Sequence, residues 1–310
     1  MKMRRRRLIE LAVLGGVGQL ASGTPRVRAA QASFPWPRRF GRTRSEARGV
    51  AAAAHAALAE HPGLRMQGQE QVGMLVYPGM TMLDLVGPQY FLASMMGAQV
   101  HLVSKDDRKV PVMGDTGFAV VPTSSFSTCP EQLDVLFVPG GTRGTLDAMG
   151  DSATLDFLTH RARTARYIVS VCTGALLLGQ AGLLEGKRAT THWSVHHLLP
   201  RFGAKAVRAR HVHDGRVFTG AGVSAGLDLA LALLVELRGV PYAKVIQLQA
   251  EYAPEPSLDA GTPEALGAEL GRPLHEAFAP AIVEFERIAS ERRSRGLAAP
   301  SRPPTSQDAP

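Results

Sequence analysis

Cysteine is scarce in this chain: 310 residues carry only two, Cys129 and Cys172. Two thiols make no disulfide framework, and Cys129, in the turn-like Ser-Thr-Cys-Pro-Glu, reads as a small packed thiol without chemistry. Net positive charge is also missing from most of the chain, although the total is +8. Residues 1–50 hold 12 of the 35 Lys/Arg and 2 of the 27 Asp/Glu, which leaves 23 basic and 25 acidic residues beyond them, a net of −2. That remainder offers no footprint for a polyanion, so nucleic acid is not expected as a partner. No internal repeat of useful length is visible. What is present is hydrophobic residue, 45% against 20% charged, enough for one sizeable α/β core or two small ones.

The basicity is concentrated in a leader. Met1 to Arg7 contains four consecutive arginines, Leu8 to Ser22 is weakly apolar and Gly-rich, and Ala30-Gln31-Ala32 fits a small-x-small cleavage site. This resembles a twin-arginine export signal over residues 1–32, which implies a periplasmic protein. Leu8 to Leu20 is too short to remain in a bilayer, so no stable membrane anchor is expected. The alternative is a basic arm on a cytoplasmic protein. Residues 33–69 read as a linker with a short helix at Val50 to Glu60.

From Gln71 short apolar runs alternate with longer amphipathic ones. Val72 to Tyr77, Asp134 to Pro139 and Tyr167 to Val171 predict buried strands, and Gln99 to Ser104 a further strand. Leu83 to Ser94, Asp151 to Thr164, Thr173 to Gln180, Ser194 to Arg201, the run up to Leu237 and Tyr242 to Tyr252 predict helices. Lys105 to Pro122 reads as a hairpin region turning at Gly114 and Gly117, and Asp214-Gly215 marks a second hairpin. Strands that are apolar throughout suit a parallel sheet covered on both faces, so the expected fold is an open, doubly wound, mostly parallel α/β sheet of the flavodoxin-like kind. The domain is placed at 70–262, a partly helical extension at 263–296 and a Pro/Ser-rich tail at 297–310.

Cys172 falls where Ile-Val-Ser-Val gives way to Thr-Gly-Ala-Leu-Leu, at the carboxyl end of a strand, where ligands of such sheets collect. A cysteine in that tight turn projects outward as a nucleophile elbow, and the following helix N-terminus favours its thiolate. Asp84, in Met-Leu-Asp-Leu-Val-Gly-Pro, lies after the first strand and suits a proton handler whose pKa a thiolate would raise, or else a helix cap. Gly140 and Gly141, at the end of another strand, suit a pair of oxyanion donors.

Together the motifs are specific. Leu-Asp84-Leu-Val-Gly-Pro, Phe-Val-Pro-Gly-Gly-Thr142, Val-Cys172-Thr173-Gly with Thr-Thr-His-Trp193 downstream, and Gln247-Leu-Gln-Ala-Glu-Tyr-Ala-Pro-Glu-Pro256 resemble the PfpI (Parkinson-disease-protein-seven) superfamily of class I glutamine amidotransferase-like folds, and within it the isocyanide hydratases. The resemblance covers about residues 70 to 262. It implies cofactor-free hydration of R–N≡C to an N-substituted formamide in a homodimer. Cys172 would be the nucleophile through a thioimidate, Asp84 the acid/base, and Thr173 with the Gly141 backbone would orient the intermediate or the water.

Two rivals share the superfamily. One is a ligand-sensing domain of an AraC-type regulator, which needs two helix-turn-helix patterns that the residues after Tyr252 lack. The other is a cysteine-dependent hydrolase or glyoxalase-like enzyme, against which Asp84 and the Val-Cys-Thr-Gly wording lean. Protease members carry histidine immediately after the cysteine, where this chain has Thr173. His192, His196 and His197 are expected at a strand end and on a helix surface, and His211 with His213 lacks a third ligand, so no metal is assigned.

Overall fold

The computed structural model describes residues 43–294 except residue 109. The export leader expected over 1–32 and the tail at 297–310 lie outside the described residues. Contacts divide the chain at Ala53 and Ala54 into two units.

A helix spans Arg44–Glu60, and it starts earlier than the apolar pattern at Val50 predicts. The reason is a capping box: the Glu46 N–H donates to Thr43 Oγ1 at 3.2 Å, and the Thr43 N–H donates back to Glu46 Oε2 at 3.0 Å. No residue of this helix is buried, and the apolar pattern marks only its part from Val50 onward.

From residue 71 the chain builds one seven-stranded sheet. Its order is His211–Asp214, Val217–Gly220, Tyr167–Val171, Val135–Val138, Gln71–Leu75, Gln99–Ser104 and Ser124–Ser125. Every pairing is parallel except the first, the hairpin turning at Gly215. The four central strands are buried along nearly their whole length, as expected of strands covered on two sides. Two helix groups supply that cover. Met82–Ala93, Ala225–Arg238 and Val240–Gln249 pack together, while Thr142–Gly150, Ser152–Thr164, Gly174–Gln180, Trp193–Phe202 and Ala279–Ser294 form the other set. The fold is a flavodoxin-like α/β sandwich.

Two local features differ from the sequence pattern. Trp193–Phe202 is a 3-10 helix, with Pro200 inside it supplying no N–H for an α-helical ladder. Thr142–Gly150 is an unanticipated helix that begins directly after the Gly140-Gly141 turn. Beyond residue 262 the chain forms Pro263–Leu266, Ala268–Ala277 and Ala279–Ser294, and the last of these buries Ile282, Phe285, Ile288 and Ala289. Among the described residues no helix is long and apolar enough to cross a membrane.

A buried ion pair fixes the entry to the sheet. Arg238, wholly buried at the end of its helix, grips Glu70 with Nε–Oε1 at 2.6 Å and Nη2–Oε2 at 2.5 Å. Its remaining N–H groups donate to the carbonyls of Arg65, Met66 and Met96. The guanidinium therefore leaves little hydrogen-bonding capacity unused, the condition under which a buried charge is tolerated.

Candidate active site

Cys172 ends the Tyr167–Val171 strand with φ of 57°, a left-handed conformation uncommon for a residue with a Cβ. Its neighbours hold the turn. The Cys172 N–H donates to the Gly220 carbonyl at 3.1 Å, and the Thr191 hydroxyl donates to the Cys172 carbonyl at 2.7 Å. Gly174 is pressed against the preceding strand end: a Cβ there would lie 2.5 Å from the Val138 carbonyl oxygen. This is the strand-to-helix elbow that the sequence suggests.

Asp84 reaches the same point from the Met82–Ala93 helix and is fully buried. Thr81 is the N-cap residue, so the capping role considered for Asp84 is not the one it plays. Its Oδ2 instead accepts the Gly140 N–H at 3.0 Å across the sheet ends, and its buried Oδ1 has no partner of its own. Burial pushes the carboxyl up to about 7; the Gly140 N–H and the Cys172 side chain pull it down, and Asp115 pushes it up further. A carboxyl poised there can both take and return a proton near neutrality.

The expectation of a thiolate favoured by position alone is corrected. Cys172 is buried, and burial first, then the charge of Asp84, push its thiol well above the usual 9.0. The Thr173 backbone N–H and hydroxyl pull the other way but do not prevail. Burial thus favours the protonated sulfur, with the Asp84 carboxyl beside it.

Gly140 and Gly141 are both in the site, but the oxyanion role expected of them is not open to either. The Gly140 N–H is given to Asp84, and the Gly141 N–H donates to Thr173 Oγ1 at 2.9 Å. These glycines allow close approach instead. A Cβ on Gly140 would sit 2.7 Å from Thr173 N, 2.8 Å from Asp84 Oδ2 and 2.8 Å from Cys172 Cβ.

Thr173 stands in a buried chain of hydroxyls. The Tyr77 hydroxyl donates to the Pro139 carbonyl at 2.6 Å and lies 3.1 Å from Thr145 Oγ1, which lies 2.8 Å from Thr173 Oγ1. Because the Tyr77 proton is committed to the Pro139 carbonyl, Thr145 has its single proton for either the Tyr77 oxygen or Thr173. Thr173 in turn has one proton, for which Thr145, the Gly141 carbonyl at 3.1 Å and the sulfur compete. Thr173 thus orients the elbow and can stabilise a developing thiolate.

A cavity of about 280 Å³ opens onto Cys172 and Thr173. Thr81, Asp115, His192 and Ser194 give it polar edges, and Val195, Val223, Phe278 and Ile282 give it apolar walls. His192 is the residue that sequence reasoning set aside. It is half-buried at the same cavity as the nucleophile, its Nδ1 lies 2.8 Å from Ser194 Oγ, and burial lowers its pKa, which favours the neutral ring. A larger cavity, about 540 Å³, lies at the ends of the Gln71–Leu75 and Gln99–Ser104 strands and is lined by none of Cys172, Thr173, Asp84 and His192. His211 and His213 are exposed, with His213 stacked on Phe218 at 3.8 Å, and Cys129 is buried away from solvent.

Comparison with known proteins agrees with this geometry. A sequence profile described as the DJ-1/PfpI family matches residues 70–236. The isonitrile hydratase of Pseudomonas putida is 50% identical over 212 residues, 68% of this chain and 91% of that protein. The HTH-type transcriptional regulator GbdR of Pseudomonas aeruginosa is 28% identical over 185 residues, 56% of this chain but 48% of the regulator. Among solved structures, a ThiJ/PfpI family protein from Pseudomonas syringae superposes with a TM-score of 0.72 at 46% identity, covering 74% of this chain and 96% of the other.

Proposed function

Since the chain belongs to the DJ-1/PfpI family, we propose that it is a cofactor-free isocyanide hydratase, a hydro-lyase that converts R–N≡C and water to the N-substituted formamide. The observation that carries this reading is the pairing of Cys172, on its strained elbow, with a buried carboxyl poised at about 7.

The chemistry follows from those two groups. Asp84 takes the thiol proton as sulfur attacks the terminal isocyanide carbon, forming a C–S bond. That carbon becomes nucleophilic and receives the proton back from Asp84, giving a thioimidate, R–N=CH–S–Cys172. Asp84 then deprotonates a water that adds to the same carbon, and the nitrogen takes up the proton. Collapse of the tetrahedral carbon breaks the C–S bond, releases R–NH–CHO and returns the sulfur to its thiol. The Thr173 hydroxyl and the Thr173 N–H, both near the sulfur, stabilise its charge when it attacks and when it leaves.

The resemblance further supports a homodimer. The leader supports twin-arginine export to the periplasm; lysines in place of Arg4 to Arg7 should hold the protein in the cytoplasm, and unchanged periplasmic recovery would reject that route. For the activity itself, purified protein incubated with cyclohexyl isocyanide should produce N-cyclohexylformamide, followed by liquid chromatography. Product formation no faster than with Cys172→Ala would sink the hydratase reading.

A further inference from the structure

The segment Phe278–Phe285 has no part in the chemistry above, and it lies past residue 236, where the match to the family profile stops. Yet Phe278, Ala281, Ile282 and Phe285 all line the cavity that opens onto Cys172. Their spacing of three, four and seven residues places them on one face at the start of the Ala279–Ser294 helix. Phe285 and Ile282 are buried, at 1% and 8% exposure, so this wall is anchored in the core rather than laid over the surface. Phe278 is tied down from the other side: its ring lies 5.8 Å edge-on from His192 and 5.8 Å from Trp193.

The wall is aliphatic and aromatic, and no lysine or arginine is among the residues lining the cavity, whereas Asp115 is. An anionic ligand would find no counter-charge there, and the face formed by Phe278, Ala281 and Ile282 offers a polar ligand no side-chain partner. The volume, about 280 Å³, lies at the small end of ligand cavities, which run roughly 300–1,000 Å³. We infer that Phe278, Ala281 and Ile282 are the specificity-determining residues of the Cys172 site, selecting small uncharged molecules with one compact apolar substituent, no larger than a single ring. This rests on the hydratase reading for the identity of the reactive group, but not for the size and polarity of what reaches the sulfur.

The test therefore has one arm that needs no isocyanide. Alkylation of Cys172 is timed with iodoacetamide, N-phenylmaleimide and N-(1-pyrenyl)maleimide, and the modified residue is identified by peptide mass spectrometry. In Phe278→Ala the pyrenyl reagent should react about tenfold faster relative to iodoacetamide than in the unmodified protein. In Ala281→Phe the phenyl reagent should slow by about as much while iodoacetamide is spared. The second arm measures kcat and KM for cyclohexyl and 2-naphthyl isocyanide. Phe278→Ala should shift the ratio of kcat/KM toward the naphthyl compound by about tenfold, mainly through KM. Thermal melts confirm folding, and Ile282→Val, a single-methyl change, should move both rankings in the Phe278→Ala direction by a smaller factor.

Size rankings unchanged in all three folded variants would overturn the inference, whether or not isocyanides are turned over. Rankings that shift in the alkylation arm, with no isocyanide turned over by the unmodified protein, would uphold the wall and reject the hydratase reading.

Discussion

Asp84→Asn should make this protein both more stable and nearly inactive, and pH should separate the two effects. The carboxyl has a pKa of about 7 in the folded protein, raised mainly by burial from 3.8. Between roughly pH 4 and 7 the folded state thus holds a proton that the unfolded chain has lost, so stability falls as pH rises through this window. Above it the charged carboxylate remains buried beside Cys172, and the raised pKa corresponds to an upper limit of about 4 kcal/mol of lost stability. Asparagine is uncharged at every pH, and its side-chain oxygen can still accept the Gly140 N–H that Oδ2 accepts now. Urea denaturation from about pH 4.5 to about pH 8.5 should therefore show the variant ahead by up to a few kcal/mol at the alkaline end, with the gap closing toward acid.

Activity should move the other way. Without a group to take and return the proton, kcat/KM for cyclohexyl isocyanide should drop by about 10²–10⁴-fold. The thiol supplies an internal control. Asp84 raises the Cys172 pKa through its charge and its hydrogen bond, so in the variant the pH midpoint for iodoacetamide alkylation should shift downward. A stability difference independent of pH, or a midpoint that stays put, would refute the coupling between the two residues. Turnover at the unmodified rate would remove Asp84 from the chemistry.

Two further substitutions probe the frame around the pair. Gly140→Ala places a methyl 2.8 Å from both Asp84 Oδ2 and Cys172 Cβ, and must push the two apart; activity should fall at least about tenfold, with about 1–3 kcal/mol lost by thermal melt. Arg238→Ala strands the Glu70 carboxylate and three carbonyls without their guanidinium, and should cost about 3–5 kcal/mol in urea denaturation. Because Arg238 touches none of the cavity residues at Cys172, kcat measured well below the melting temperature should stay within about twofold.

The readable part of the sequence was the part in which burial and backbone geometry act locally. Strands such as Tyr167–Val171 are buried on both sides, so they appear as continuous apolar runs, and the turns at Gly117 and Gly215 have positive φ that glycine accommodates. Cys172 and Asp84 could be paired because both follow strands of one parallel sheet, whose carboxyl ends converge. What stayed hidden depends on contacts between distant segments. Nothing near Gly141 reveals that its N–H is given to Thr173, and nothing near His192 reveals that Phe278 folds back onto it from 86 positions later in the chain. The helix at Arg44–Glu60 was read from its apolar pattern only from Val50 onward, because its start is set by the Thr43–Glu46 capping box and not by burial.

The same distinction explains why helix-dipole reasoning misjudged the thiol. A helix N-terminus does lower the pKa of a nearby sulfur, but the effect is at most about 2 kcal/mol in partly buried sites, and here the helix after Cys172 has only seven residues. Burial acts on the same sulfur with the opposite sign, and Asp84 adds to it. A sulfur that stays protonated until a ligand arrives is protected from oxidation and stray electrophiles, because both reactions need the thiolate. In the proposed mechanism the demand for a base then falls on the carboxyl, whose pKa of about 7 would keep it available over the neutral range. Under the proposed mechanism the buried carboxyl, rather than the position of the cysteine, would set the pH at which the sulfur becomes a nucleophile.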